Sequence, residues 1–142
     1  MSEQPKLNLS WLQAEAASED TPVEIPLHDR DGEPYVNAAG KPITASVLGE
    51  YSAPVRRQIE QNQKALGKLR RPQLTPEMHT ANRHKVATAG LSAWGMEDAD
   101  GQPIPTTLQA VAQVCETAPW ILDQLEDGMR RHASFFKSTS KG

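Results

Sequence analysis

The stretch "PITASVLGEYSAPVRRQIEQNQKALGKLRRP", residues 42–72, decides the fold class. Its first residues alternate, with Ile43, Ala45 and Val47 on one side and Thr44, Ser46 and Leu48 on the other. That is the two-residue period of a strand. Gly49 closes it, and the period then changes. Ser52 stands as an N-cap and Pro54 falls in a first helical turn. Val55, Ile59, Leu66 and Leu69 recur at helical spacing until Pro72 stops the helix. A short β element followed by helix is an α+β pattern, because an isolated hairpin needs a helix packed against it.

Toward the N-terminus, "VEIPL" is a short strand that Pro26 confines to a sheet edge. With the turns "HDRDGEP" and "NAAGKP" it makes a small antiparallel β meander over 23–49. Residues 1–22 are polar, acidic and Ala-rich, and are expected to be a disordered tail. Leu9, Trp11, Leu12 and Ala16 form one short apolar face, but too few turns exist for an isolated helix to be stable in water. Docking of this face on a partner is the alternative reading.

Toward the C-terminus the helical part extends over 52–136, with about four helices. "TPEMHTANRHKVATAGLSAWG" opens with Thr75 as cap and Pro76 at the first helical position, turns Met78, Val86, Ala89 and Trp94 inward, and ends at Gly95. Thr106 or Thr107 caps "LQAVAQVCE". Thr117 is expected to cap one last helix, in which Ile121, Leu125, Met129, His132 and Phe136 recur at helical spacing. Residues 137–142 read as a second disordered tail. The expectation is one α+β domain over 23–136, mostly α, with all of its strands at the N-terminal end.

Composition bounds the function. The 142 residues are 37% hydrophobic and 5% aromatic, so the core is thin. One cysteine permits no internal disulfide, no apolar run is long enough to span a membrane, and the opening residues lack a signal-peptide pattern. A soluble intracellular protein is expected. The net charge of −3 is unevenly placed: residues 1–33 carry −6, residues 34–96 carry +6 and residues 97–142 carry −3. Such a layout suits self-complementary pairing, within a fold or between copies, better than dedicated nucleic-acid binding.

Catalytic and metal chemistry find no residue set. His79 and His84 lie five apart, not the four that aligns two ligands on a helix, and Cys115 has no cysteine partner. No catalytic residue, metal site or cofactor is expected, and the chain reads as a non-enzyme. Asp-x-Asp-Gly-x-Pro occurs twice, at Asp29–Pro34 and Asp98–Pro103. Setting either Gly at position six of a calcium loop puts Leu27 or Met96 at position one and Ala38 or Thr107 at twelve, so neither loop can enclose the ion. They read as plain turns that look convergent, one in a β hairpin and one in a helix connection.

The face most suited to a partner lies on the helix after Ser52. Its stripe is too narrow for a buried core helix yet too regular for a loop. Between Arg56 and Arg71 there are six basic residues against one acid, Glu60. Val55, Arg56, Arg57, Ile59, Leu66 and Leu69 are the candidate partner-binding residues. A phosphate-tracking role for the same helix ranks lower, since it has no interleaved aromatics.

The order of elements resembles the tail assembly chaperones of long-tailed bacteriophages. Trp94, Asp98, Asp100, Gly101, Pro103, Pro105, Thr106, Pro119, Trp120, Ile121, Leu125 and Phe136 stand where that family shows a Trp, an acidic Gly-Pro turn, a capped helix and a Pro-aromatic start to a final helix. "GKPITASVLGEYSAPVRRQIEQNQKAL" matches the family's strand, Gly bend and Ser-opened helix. The resemblance covers residues 23 to 136. It implies a non-catalytic protein of the host cell cytoplasm that keeps the tape measure protein soluble, brings tail tube protein to it, and is absent from the finished virion. A virion structural protein, such as a minor tail or connector component, is the alternative from another class.

Overall fold

The structure, a computed structural model, describes residues 9–140, and the side-chain surroundings of 137–140 lie outside that description. The expected tail residues 1–8 and 141–142 also lie outside it. The order of elements is α1 (Leu9–Ser18), β1 (Val23–Pro26), β2 (Thr44–Val47), α2 (Ala53–Gly67), α3 (Pro76–Gly90), β3 (Leu91–Trp94), α4 (Leu108–Thr117), α5 (Pro119–Arg130) and α6 (His132–Ser140). The fold is α+β.

The antiparallel sheet has β2 at its centre, with β1 on one edge and β3 on the other. Alternation along β2 works as the sequence implies: Ile43, Ala45 and Val47 are buried, facing the helices. Pro26 sits at the end of an edge strand, where its missing N–H costs no ladder bond. α5 covers the sheet and brings Ile121, Leu122, Leu125 and Met129 onto Val23, Ile25 and Val47, giving one continuous core.

Several expectations are corrected. β is not confined to the N-terminal end, because the helix expected to run to Gly95 stops at Gly90 and Leu91–Trp94 pairs with β2. The free edge of β2 supplies hydrogen bonds that the helix end lacks, and the backbone N–H of Leu48 donates to the Gly90 carbonyl at 2.8 Å. A bulge between Ser46 and Val47 absorbs the mismatch. The buried residues of α3 are His84, Ala87 and Gly90, a face rotated by about one position from the one expected.

The final helix is two helices, broken at Arg131. Thr117 does not cap α5; it ends α4, and its hydroxyl donates to the Gln113 carbonyl. Ala118 stands at the α5 N-cap without a side-chain bond. Thr75 and Thr107 do cap their helices, accepting from the N–H groups of Met78 and Ala110. The tail expected at 137–142 is helical as far as Ser140.

A further correction concerns the acidic N-terminal segment, which is helical over Leu9–Ser18 and fastened at its end. Glu19 gives its carbonyl to the Gly49 N–H, and Asp20 Oδ1 accepts from the Ala53 N–H at 2.8 Å. Asp20 thereby caps α2, a task expected of Ser52, whose own hydroxyl makes no cap bond. Buried His132 completes the clasp. Its Nε2 lies 2.6 Å from the Thr21 carbonyl oxygen. Its Nδ1 stands 3.0 Å from Glu19 Oε2, at ion-pair distance but not aligned as a hydrogen bond.

Candidate interaction surface

Two features stand out from this core, a set of repeated hairpin turns and a projecting helix pair. The first begins with Asp29. Its Oδ1 accepts from the N–H groups of Asp31 and Glu33, both at 2.9 Å, while Gly32 takes φ +86° and donates back to the Asp29 carbonyl. Asp98 does the same for Asp100 and Gln102, with Gly101 at φ +78°. A third copy uses asparagine: Asn37 Oδ1 accepts from Ala39 and Lys41, with Gly40 at φ +79°.

Each turn is flanked by a bridge to proline, His28 with Pro34, Val36 with Pro42 and Glu97 with Pro103. The shared sentence is Asx-x-x-Gly-x-Pro, in which the side-chain oxygen replaces a backbone acceptor and glycine supplies the positive φ. The first two copies are tandem, with Leu27, Tyr35 and Ile43 spaced by eight residues and joined by backbone bonds. Far from differing by context, the two acidic turns are the same hairpin. The ring of Trp120 donates to Tyr35 Oη at 2.8 Å and that of Trp94 to the Ile104 carbonyl, so both hairpin units are pinned to the body. A mostly apolar groove of about 500 Å³ runs between them, lined by Tyr35, Met96, Ile104, Val114 and Ile121 among others.

The helix pair is formed by α2 and α3, which pack on each other. Burial fades along them in opposite senses: the buried residue of α2 is Val55 in its first turn, and those of α3 lie in its second half. The pair therefore runs antiparallel, and its connecting end projects from the core. That end carries Lys64, Lys68, Arg70 and Arg71 with no acid between Gln61 and Pro76. None of the four is in an ion pair among the described residues. Leu69 is 41% exposed and Leu74 45%, so apolar area lies among the cations.

Against this geometry the candidate partner residues divide. Arg56, Arg57, Ile59 and Leu69 are exposed and Leu66 is half-buried, which leaves them available. Val55 is 1% exposed and belongs to the core, so it leaves the interaction surface. The stripe looked uniform in sequence because helical spacing cannot tell which end of a helix is covered.

Arg83 and Cys115 are held in structural roles. Arg83 bridges α3 to α5 through Glu126, with Nε to Oε2 at 2.9 Å, and through Asp123. Donation to the Glu126 carboxylate holds the guanidinium charged well above its ordinary range. Burial pushes the Cys115 thiol up to about 11, with the Glu126 charge adding to it, so little thiolate forms near neutrality. No group of three or more His, Cys, Asp or Glu among the described residues could hold a metal ion.

Comparison with protein-family models, with curated proteins and with solved structures finds no match to this chain.

Proposed function

We infer that the chain is a non-catalytic tail assembly chaperone of a long-tailed bacteriophage. In the host cytoplasm it holds the elongated tape measure protein soluble, helps bring tail tube subunits to it, and is left out of the finished particle. The observation that carries this reading is the projecting end of α2 and α3, where Leu66 and Leu69 lie among cations that are in no ion pair among the described residues. A surface of this kind suits many modest contacts along a long helical partner, in which repeated binding multiplies small affinities. The order of turns, caps and aromatics from 23 to 136 supports the same reading.

The test is co-expression with a phage tape measure protein, followed by pull-down and mass spectrometry of purified particles. A chaperone solubilises that partner and is missing from particles. A chain that fails to solubilise it and is found in particles is a virion structural protein instead.

A further inference from the structure

We propose that the groove between α3 and α4 binds the guanidinium of an arginine side chain presented by a partner polypeptide. The inference does not rest on the chaperone reading. The groove has a volume of about 510 Å³. Glu77, Ala81, His84 and Lys85 line it at helical spacing along one face of α3, and Leu108, Ala112 and Glu116 do the same on α4. Alanine at 81 and 112 keeps the channel open, since a methyl group fills little of the gap. His84 is the residue that calls for a ligand. It is 5% exposed, yet its ring makes no hydrogen bond or ion pair among the described residues; the bond at this position goes from the Thr88 hydroxyl to the His84 carbonyl. Buried polar side chains are as a rule partnered. The sealed, unpartnered side-chain atoms among the described residues are Ser52 Oγ and His132 Nδ1, so the nitrogens of His84 are not sealed and open on the groove that the residue lines.

Charge selects the occupant. Glu77, Glu116 and Lys85 also line the groove, and the side chain of each is outside every hydrogen bond and ion pair among the described residues. Two carboxylates against one ammonium favour a cation over an anion. A neutral imidazole adds one acceptor nitrogen, which also asks for a donor. Leu108, 42% exposed, supplies an apolar wall for an aliphatic stem. Arginine meets all of these demands. Its planar guanidinium carries five N–H donors, enough to serve a carboxylate and the imidazole together, and its weak hydration suits a half-buried site. The lysine ammonium is more strongly hydrated and lacks the fork. A metal ion would find too few ligands, since no group of three or more His, Cys, Asp or Glu among the described residues could hold one.

The experiment titrates the full chain with an acetylated, amidated Ala-Leu-Arg-Leu-Ala peptide and follows the imidazole signals of His84 by NMR, assigned by their loss in His84→Gln. Peptides with lysine, glutamate or citrulline (an uncharged isostere) in place of arginine are the controls. The arginine peptide should shift the His84 signals saturably, with a dissociation constant on the order of 1 mM or tighter. Each control should bind at least about tenfold more weakly. Glu77→Gln with Glu116→Gln removes both carboxylates and should weaken the arginine peptide by about tenfold or more. Ala112→Leu should block it by filling the channel. None of these three positions is buried, and circular dichroism checks that each variant keeps its fold. His84 signals that stay still at about 10 mM arginine peptide overturn the proposal. So does a lysine or citrulline peptide that binds as tightly, or a variant that binds as wild type does. A glutamate peptide that binds more tightly than arginine overturns it as well, and makes Lys85 the recognising group.

Discussion

Gly128 of α5 meets Ile25 of β1 with no room for a side chain. A Cβ at 128 would stand 2.6 Å from Ile25 Cδ1 and 3.3 Å from Val47 Cγ2. Local propensity says that Gly128→Ala should gain about 1 kcal/mol in a helix interior. Packing says the reverse, since forcing a methyl into a filled core costs about 1–3 kcal/mol. Packing should win here, because Ile25 is 4% exposed and is itself held in the sheet. The expected outcome is a net loss of about 1 kcal/mol in denaturant titration. A raised midpoint would show that the helix and sheet can part at little cost.

Leu125 lies on the same helix at 0% exposure, in the middle of the core. Leu125→Ala should cost about 2–5 kcal/mol through lost burial and the cavity left behind. In so thin a core that is a large share of total stability. An unchanged midpoint would mean that α5 does not cover the sheet.

The three hairpin turns make a prediction by their own variation. Asn37 performs with its amide oxygen what Asp29 and Asp98 perform with a carboxylate. Asp98→Asn should therefore change the melting temperature by little, whereas Asp98→Ala removes the acceptor of two N–H groups and should cost about 1 kcal/mol. Gly101→Ala should cost about 1–2 kcal/mol, because φ is +78° there although a Cβ would make only an ordinary contact with Ala38 Cβ at 3.9 Å. Equal effects of Asn and Ala at 98 would show that the oxygen does not hold the turn.

Much of this architecture could be read from residues alone, and the misreadings have physical causes. The alternation of Ile43, Ala45 and Val47, the caps at Thr75 and Thr107 and the stripe Ile121–Leu125–Met129 are local patterns with local consequences. β3 was hidden because Leu91–Trp94 has no alternation of its own and becomes a strand only by pairing with β2. The clasp on α1 depends on His132 meeting Thr21 across 111 residues, which no periodicity reveals. The third turn was legible in its spacing, but asparagine in place of aspartate disguised it. The surface stripe was half legible: spacing found Ile59 and Leu69, and only the fold shows Val55 to be covered.

Cys115 gives a pH-dependent expectation. Its folded-state value of about 11 lies above the ordinary thiol value of 9.0, so folding favours the neutral form. That contribution is fully present below about 9. As pH rises from 9 toward 11 the unfolded chain releases a proton that the folded chain keeps, and stability falls. Wild type should lose more stability across this window than Cys115→Ala, whose lower starting stability reflects only the missing side chain. Parallel curves would mean the thiol ionises as readily folded as unfolded. Alkylation of the native protein at pH 7.5 should likewise be slow and become fast in denaturant.

The partner surface is tested by separating capture from folding. Val55→Ser would unfold the chain and say nothing about binding, because Val55 is in the core. Ile59 and Leu69 are 39% and 41% exposed, so Ile59→Ser with Leu69→Ser should leave the melting temperature within a few degrees of wild type. If this face holds a helical partner, the same pair should abolish co-solubilisation of the tape measure protein. Arg56 and Arg57 are exposed and outside every ion pair among the described residues, so Arg56→Gln with Arg57→Gln should act differently. Surface charges chiefly speed encounter, so capture should slow at low salt and converge on wild type as salt rises. Loss of solubilisation with the apolar pair and a salt-dependent rate with the arginine pair assigns the face. Full solubilisation by both variants would place the partner elsewhere, with the groove between Tyr35 and Val114 the next surface to test.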